Sequence, residues 1–200
     1  MSPDQKRSKF DIRREATRRS LLALGFERFP TKGYAATSIE DILRDSGHGR
    51  GGFYFHFANK EEFFLAVQDY RDEVRGEWWE VVRDPALITI EEVVAATFAR
   101  LAGVVPTPNP WGLLLAEFWQ SVKHNEHHVA AIRTFYQGWQ RELVRFCEEL
   151  AARGFLRTDI PPTACAEILH AVVEGHEIHA QVYAVDIGGM VDTVVRLLRP

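Results

Sequence analysis

Within residues 37–60 lie side chains whose types and spacing suit contact with a polyanion. Arg50 carries a planar fork of donors that matches the two acceptors on the major-groove edge of guanine. Tyr54 and His56 can donate hydrogen bonds to phosphate oxygens, and Lys60 adds a cation soon after them. Gly51 and Phe55 share the same short segment, so its outward face would consist of Arg50, Gly51, Tyr54 and the edge of Phe55. Upstream, Thr37 and Ser38 stand where a helix would begin, and hydroxyls with unpaired helical N–H groups form a phosphate site. Singly each has a plain alternative: Tyr54 as a packing residue, His56 as surface polarity, Lys60 as a solvated charge. Gathered on one short stretch, they point to duplex DNA.

The elements that must hold these groups read as helices. Apolar residues recur at helical spacing, and period-2 runs flanked by turn residues are nearly absent. A first helix is expected over about 11–29, carrying Ile12, Leu21, Leu22, Phe26 and Phe29, and closed by Pro30 and Gly33. A second is expected over 38–45, opened by the capping box Thr37-x-x-Glu40. A third covers about 50–55, pinned by Phe53 and Phe57. Asn59 then caps a long helix to about Arg83, with Glu61 and Glu62 suiting its positive end. Further helices are expected at about 90–105, 111–123, 127–153, 163–183 and 189–198, broken by the proline-rich 106–110, 124–126, 154–162 and 186–188. The expectation is an all-α chain of about nine helices, with a helix-turn-helix domain at 1–58 and a helical ligand-binding and dimerisation domain at 59–200.

Charge follows the same division. Residues 1–60 hold 12 Lys/Arg against 7 Asp/Glu, whereas the remainder holds 12 against 21. A basic module on an acidic body is expected where only the first meets phosphates. The first ten residues read as a flexible basic arm that raises general attraction to DNA; such arms can also enter a minor groove. No apolar run approaches the length of a membrane span, and no secretory leader is apparent. Cys147 and Cys165 lack metal-ligand spacing and read as small buried residues in a reducing, cytoplasmic setting.

The stretch from Leu21-Leu22 to Phe29, then Gly33-Tyr34-Ala35-Ala36-Thr37-Ser38-Ile39-Glu40-Asp41-Ile42, resembles the TetR family of bacterial transcriptional regulators. The likeness continues through Gly47, Tyr54-Phe55-His56-Phe57 and Asn59-Lys60-Glu61-Glu62, and Arg153 to Pro161 is similar to a hinge common before that family's last two helices. It implies a homodimer on a palindromic operator, usually a repressor released by a small molecule. Two positions depart from the pattern: His48 where a β-branched residue is usual, weakening the small core, and Gly49 where Ser or Thr usually caps the reading helix. The run Gly49-Arg50-Gly51-Gly52 either lets the backbone approach bases closely, firming up on DNA, or is merely tolerated in a helix held by Phe53 and Phe57.

In the body, aromatic residues crowd the middle helices. Most should be core, yet Phe98, Trp111, Leu115, Phe118, Trp119, Trp139 and His179 are candidates to line a pocket for a hydrophobic or aromatic effector. Ala171, Gly175, Ile178, Val191, Val194 and Leu198 form an apolar stripe on the last two helices that suits a four-helix interface between two copies. His124, His127 and His128, or His170, Glu174 and His179, match no closed metal motif, so neither a metal nor a cofactor is expected. Two other functions remain to be weighed: a DNA-binding regulator with no small ligand, and a helical enzyme using Glu117, Glu174 and the histidines. The enzyme reading lacks a nucleophile, phosphate loop or metal motif.

Overall fold

Ser8 begins the first helix by accepting the Phe10 N–H, and α1 (Lys9–Lys32) runs to Gly33, whose N–H donates to the Phe29 carbonyl at 2.9 Å. The helix therefore passes through Pro30 instead of stopping there. Proline's locked φ is itself helical, so the chain continues through it at the cost of the Pro30 N–H bond and crowding of the Phe26 carbonyl one turn earlier. The computed structural model describes residues 8–103, 110–183 and 189–200. The arm's Lys6 and Arg7, nearly all of the 106–110 loop and the break at 186–188 lie outside them.

The remaining elements are α2 (Ile39–Leu43), α3 (Arg50–His56), α4 (Lys60–Arg75), a 3-10 segment (Trp78–Arg83), α5 (Ile90–Ala102), α6 (Trp111–Val122), α7 (Glu126–Ala152), α8 (Pro162–Tyr183) and α9 (Met190–Leu198). Among the described residues the chain has nine α-helices and no strand, an all-α fold. The long helix expected to reach Arg83 ends at Arg75, because Gly76 takes φ 59° and turns the chain into the 3-10 segment. The capping box of α2 is also one residue later than expected. Ser38, not Thr37, accepts the Asp41 N–H, and the Asp41 carboxylate accepts the Ser38 N–H at 3.0 Å.

The chain divides into two compact units, Met1–Asp72 and Glu73–Pro200, with the division inside α4. The first unit is built on aromatic rings. Phe29, Phe53, Phe57, Phe63 and Phe64 are all at most 2% exposed, and their centroids approach to 5.0 Å for Phe53–Phe63 and 4.8 Å for Phe57–Phe63. Where α1 crosses α4, Gly25 permits close contact: a Cβ there would sit 2.6 Å from Phe63 Cζ and 2.7 Å from Val67 Cγ2. In the second unit, Trp78, Val82, Val93, Val94, Phe146, Leu150 and Leu169 form one buried cluster with α9 residues Val194, Val195 and Leu198. Cys147 and Cys165 are buried free thiols, and burial pushes the Cys147 thiol up to about 12. No described helix is long and apolar enough to cross a membrane.

Candidate nucleic-acid interface

The short helix α3 is held by its buried side and open on the other. Phe53 is fully buried and Phe57 nearly so, while Arg50, Gly51, Tyr54 and Phe55 face outwards, as the sequence pattern predicts. Tyr54 is 49% and Phe55 63% exposed, a large amount of aromatic surface for a seven-residue helix. Gly49 caps α3 without a side-chain hydrogen bond, and Gly51 and Gly52 have open space where a Cβ would point. The helix is already formed from Arg50, with the Phe53 N–H on the Gly49 carbonyl at 3.1 Å. The preceding turn uses left-handed backbone at Asp45 (φ 59°) and Gly47 (φ 74°), which reverses the chain between α2 and α3 within a few residues.

The Arg50 guanidinium forms an ion pair with Glu40 across that turn, and the two side chains remain 68% and 50% exposed. Sequence reasoning missed this partner, although both residues stood inside the motif. His56 is half-buried beside Arg14 and Arg18 of α1; burial first, then these two cations, holds its imidazole below the usual histidine range. At neutral pH it is therefore an uncharged donor. Arg18 also lies over the Phe57 ring at 5.4 Å, so α1 brings basic groups alongside α3.

Three expected contacts have other local partners. Thr37 is 1% exposed and its hydroxyl donates to the Gly33 carbonyl at 2.6 Å, so it closes the α1–α2 turn instead of facing solvent. The Ser38 hydroxyl is engaged with Asp41, whose carboxylate also meets Lys32 at 2.8 Å and Arg44 at 2.7 Å. The hydrogen bond from Lys32, then those from the Ser38 hydroxyl and backbone N–H, hold Asp41 far below the usual carboxylate range. A negative charge thus already occupies the start of α2, where a phosphate was expected. Lys60 donates to the Tyr34 and Thr37 carbonyls at 3.0 and 3.2 Å and lies over the Tyr34 ring, which makes it a strut of this turn. His48, where a weaker small core was expected, makes two local hydrogen bonds. Its Nε2 is 2.9 Å from the Ser20 hydroxyl and its backbone N–H meets Ser46 Oγ, so it straps the turn to α1.

In the second unit the expected pocket residues separate into groups. Trp111, Leu115 and Phe118 form one buried row on α6. Phe98 and Trp139 pack against the main cluster, with the Trp139 ring tilted against Trp78 at a centroid distance of 5.1 Å. Trp119 and His179 are exposed, so neither lies in an enclosed wall. A shallow groove of about 580 Å³ runs along Glu80, Arg83, Leu87 and Arg100, lined by none of the expected residues. Half-buried polar and aromatic groups instead gather between α7 and α8. Tyr136 and Trp139 lie 6.0 and 6.3 Å from the His170 ring, and Glu174 is 3.6 Å from His170. Glu174 also reaches α6, 3.3 Å from where a Gly112 Cβ would be. Among the described residues no group of three or more His, Cys, Asp or Glu is gathered as a metal site.

The expected dimer stripe is corrected in part. Val194 and Leu198 are at most 2% exposed inside the chain's own core, and Val191 packs against that core. Ile178 turns toward α6, its Cδ1 3.7 Å from the same Gly112 position. Ala171 is exposed and Gly175 faces open space, in line with the exposed Ile168 and Val182. An amphipathic pattern shows that a face is buried without showing which chain buries it.

A helix-turn-helix with an open, basic-aromatic reading helix, carried by an all-helical body, defines a DNA-binding transcriptional regulator. The chain belongs to the TetR family: residues 21–67 match the model of bacterial regulatory proteins of the tetR family, and residues 91–199 match the C-terminal model of BetI-type transcriptional repressors. It is similar to an uncharacterised helix-turn-helix regulator, YwcC, of Bacillus subtilis, at 28% identity over 85% of this chain and 78% of that protein. It is also 26% identical to the repressor ComR of Escherichia coli over 74% of this chain and 72% of that one. A TetR-family regulator from Agrobacterium tumefaciens shares the fold with a TM-score of 0.74 at 20% identity, covering 94% of this chain and all (100%) of that one.

Proposed function

We propose that the chain is a cytoplasmic repressor that binds a palindromic operator as a homodimer and is released by a small hydrophobic or aromatic molecule. The observation that carries the DNA half is α3 itself: Phe53 and Phe57 anchor it, leaving Arg50, Gly51, Tyr54 and Phe55 on one open face. Arg50 reads a guanine, and Tyr54 and the uncharged His56 donate to phosphates. Thr37, Ser38 and Lys60 hold the turn that presents them. Repression is favoured by the BetI-type repressor match over 91–199 and by the likeness to a named repressor.

Dimerisation is assigned to α8, whose outward line of Ile168, Ala171, Gly175, His179 and Val182 follows i, i+3, i+7, i+11, i+14 spacing. A second copy covering this line gives the two-fold symmetry that sets reading helices roughly 34–36 Å apart, one DNA turn. The effector is assigned to the polar and aromatic groups between α6, α7 and α8: Trp111 and Trp139 as apolar walls, with His170 and Glu174 as orienting groups. Its binding lowers operator affinity through coupling between the two sites.

Selection of duplexes from a random pool by the purified chain tests the first part: a palindrome with half-sites one turn apart is expected, and a pool that stays random refutes it. Thermal-shift screening with aromatic and aliphatic compounds tests the second. Compounds that raise the melting temperature should also weaken operator binding; if they leave it unchanged, release by a ligand is wrong.

A further inference from the structure

The ion pair between Glu40 of α2 and Arg50 of α3 is a charge contact that spans the turn between the two helices on their solvent side. Both residues lie on the exposed side of their helices. Ile42, Leu43, Phe53 and Phe57, each at most 9% exposed, form the buried side. Exposed ion pairs add little to folding, so the pair calls for a different explanation. An unrestrained arginine beside a polyanion is drawn to the nearest phosphate, which carries no sequence information. A carboxylate at its side changes both its direction and its net charge.

We propose that Glu40 is a positioning residue for base recognition, holding the Arg50 guanidinium toward the base edges and cancelling its attraction to phosphates. The proposal rests on the reading of α3 as the DNA-reading helix. Only one guanidinium nitrogen is given to Glu40, and a guanidinium has five N–H donors, so an edge remains for guanine O6 and N7. Glu40 thereby exchanges general affinity for selectivity. Its own charge, half exposed on the same face, also opposes phosphate contact in a wrong register.

The test uses the full chain and the duplex it selects from a random pool, followed by all single-base variants of that duplex and an unrelated duplex of equal length. Arg50→Ala identifies the base pair whose discrimination is lost. Glu40→Gln, nearly isosteric, is expected to reduce discrimination at that same pair about tenfold, within the span of one bidentate contact. It should also tighten binding to the unrelated duplex and steepen its salt dependence by about 0.9 in the log–log slope, the equivalent of one more phosphate contact. In the Arg50→Ala background, Glu40→Gln should leave discrimination at that pair unchanged. A Glu40→Gln profile identical to the wild type overturns the proposal, as does a uniform loss of affinity at every sequence. An unchanged melting temperature separates either outcome from misfolding. If the wild-type chain itself selects no sequence, the DNA reading fails, and the proposal fails with it.

Discussion

Removing the Glu142 carboxylate should destabilise the second unit far more than an ordinary surface change. Its Oε2 accepts from the Trp78 indole N–H at 2.6 Å and from Arg75 at 3.2 Å, and the Arg75 side chain is only 3% exposed. Arg75 also lies 4.1 Å over the Trp139 ring, so it cannot swing out to water without losing that stack. Taking one partner from a buried pair costs about 3–5 kcal/mol. Glu142 itself is 30% exposed, which lets water reach the vacated place and lowers the expectation for Glu142→Ala to about 2–3 kcal/mol. At roughly 2–4 °C per kcal/mol for a chain of this size, the melting temperature should fall by about 4–12 °C. Glu142→Gln keeps an acceptor for the indole and should lose about half as much. Urea unfolding at unchanged m-value, alongside circular dichroism melts, gives both numbers. A cycle with Trp78→Phe should show coupling of about 1 kcal/mol. A loss below about 0.5 kcal/mol for Glu142→Ala, the range of plain surface substitutions, refutes the reasoning.

Gly25→Ala should destabilise the chain by about 1 kcal/mol: overpacking against Phe63 and Val67 costs roughly 1–3, and the better helix propensity of Ala returns about 0.8–1.0; a stabilised variant in urea unfolding would show that α1 and α4 are less closely set. Asp41, whose folded-state pKa is depressed, contributes stability above its unfolded value, and that contribution fades as pH falls through the acid range. Asp41→Ala should therefore lower the melting temperature at pH 7 and have a smaller effect at pH 3, and an equal effect at both would mean that charge plays no part. Val182→Glu should leave a folded chain whose sedimentation shifts toward monomer, whereas Val194→Asp should unfold it, because Val182 is 57% and Val194 2% exposed; a folded Val194→Asp monomer would return α9 to the interface.

Much was legible from sequence because it is set locally. The helical spacing of Leu21, Leu22 and Phe29, the glycine at 33, the turn at 47 and the outward placement of Tyr54 and Phe55 follow from backbone geometry and the hydrophobic pattern. Cap and partner assignments were less legible. Thr37 and Ser38 are both good N-caps by type, and the choice fell to Ser38 only once Thr37 was buried under the α1–α2 turn. Likewise, a glycine at 76 is compatible with a continuing helix, and its positive φ belongs to the assembled chain.

The motif at 37–60 determined by itself that two short helices would form and that the second would present one basic and aromatic face, since spacing alone turns Arg50, Tyr54 and Phe55 away from Phe53 and Phe57. Tertiary structure decided which groups on that face are occupied: Thr37 and Lys60 by backbone carbonyls, Ser38 by Asp41, and Arg50 by Glu40 ten residues away. It also decided that Val194 and Leu198 belong to the chain's own core while Ile168 and Val182 remain outside. The physical reason is the same in each case. Periodicity specifies which side of a helix is apolar, but the neighbour that satisfies a side chain, polar or apolar, is fixed only when distant segments pack.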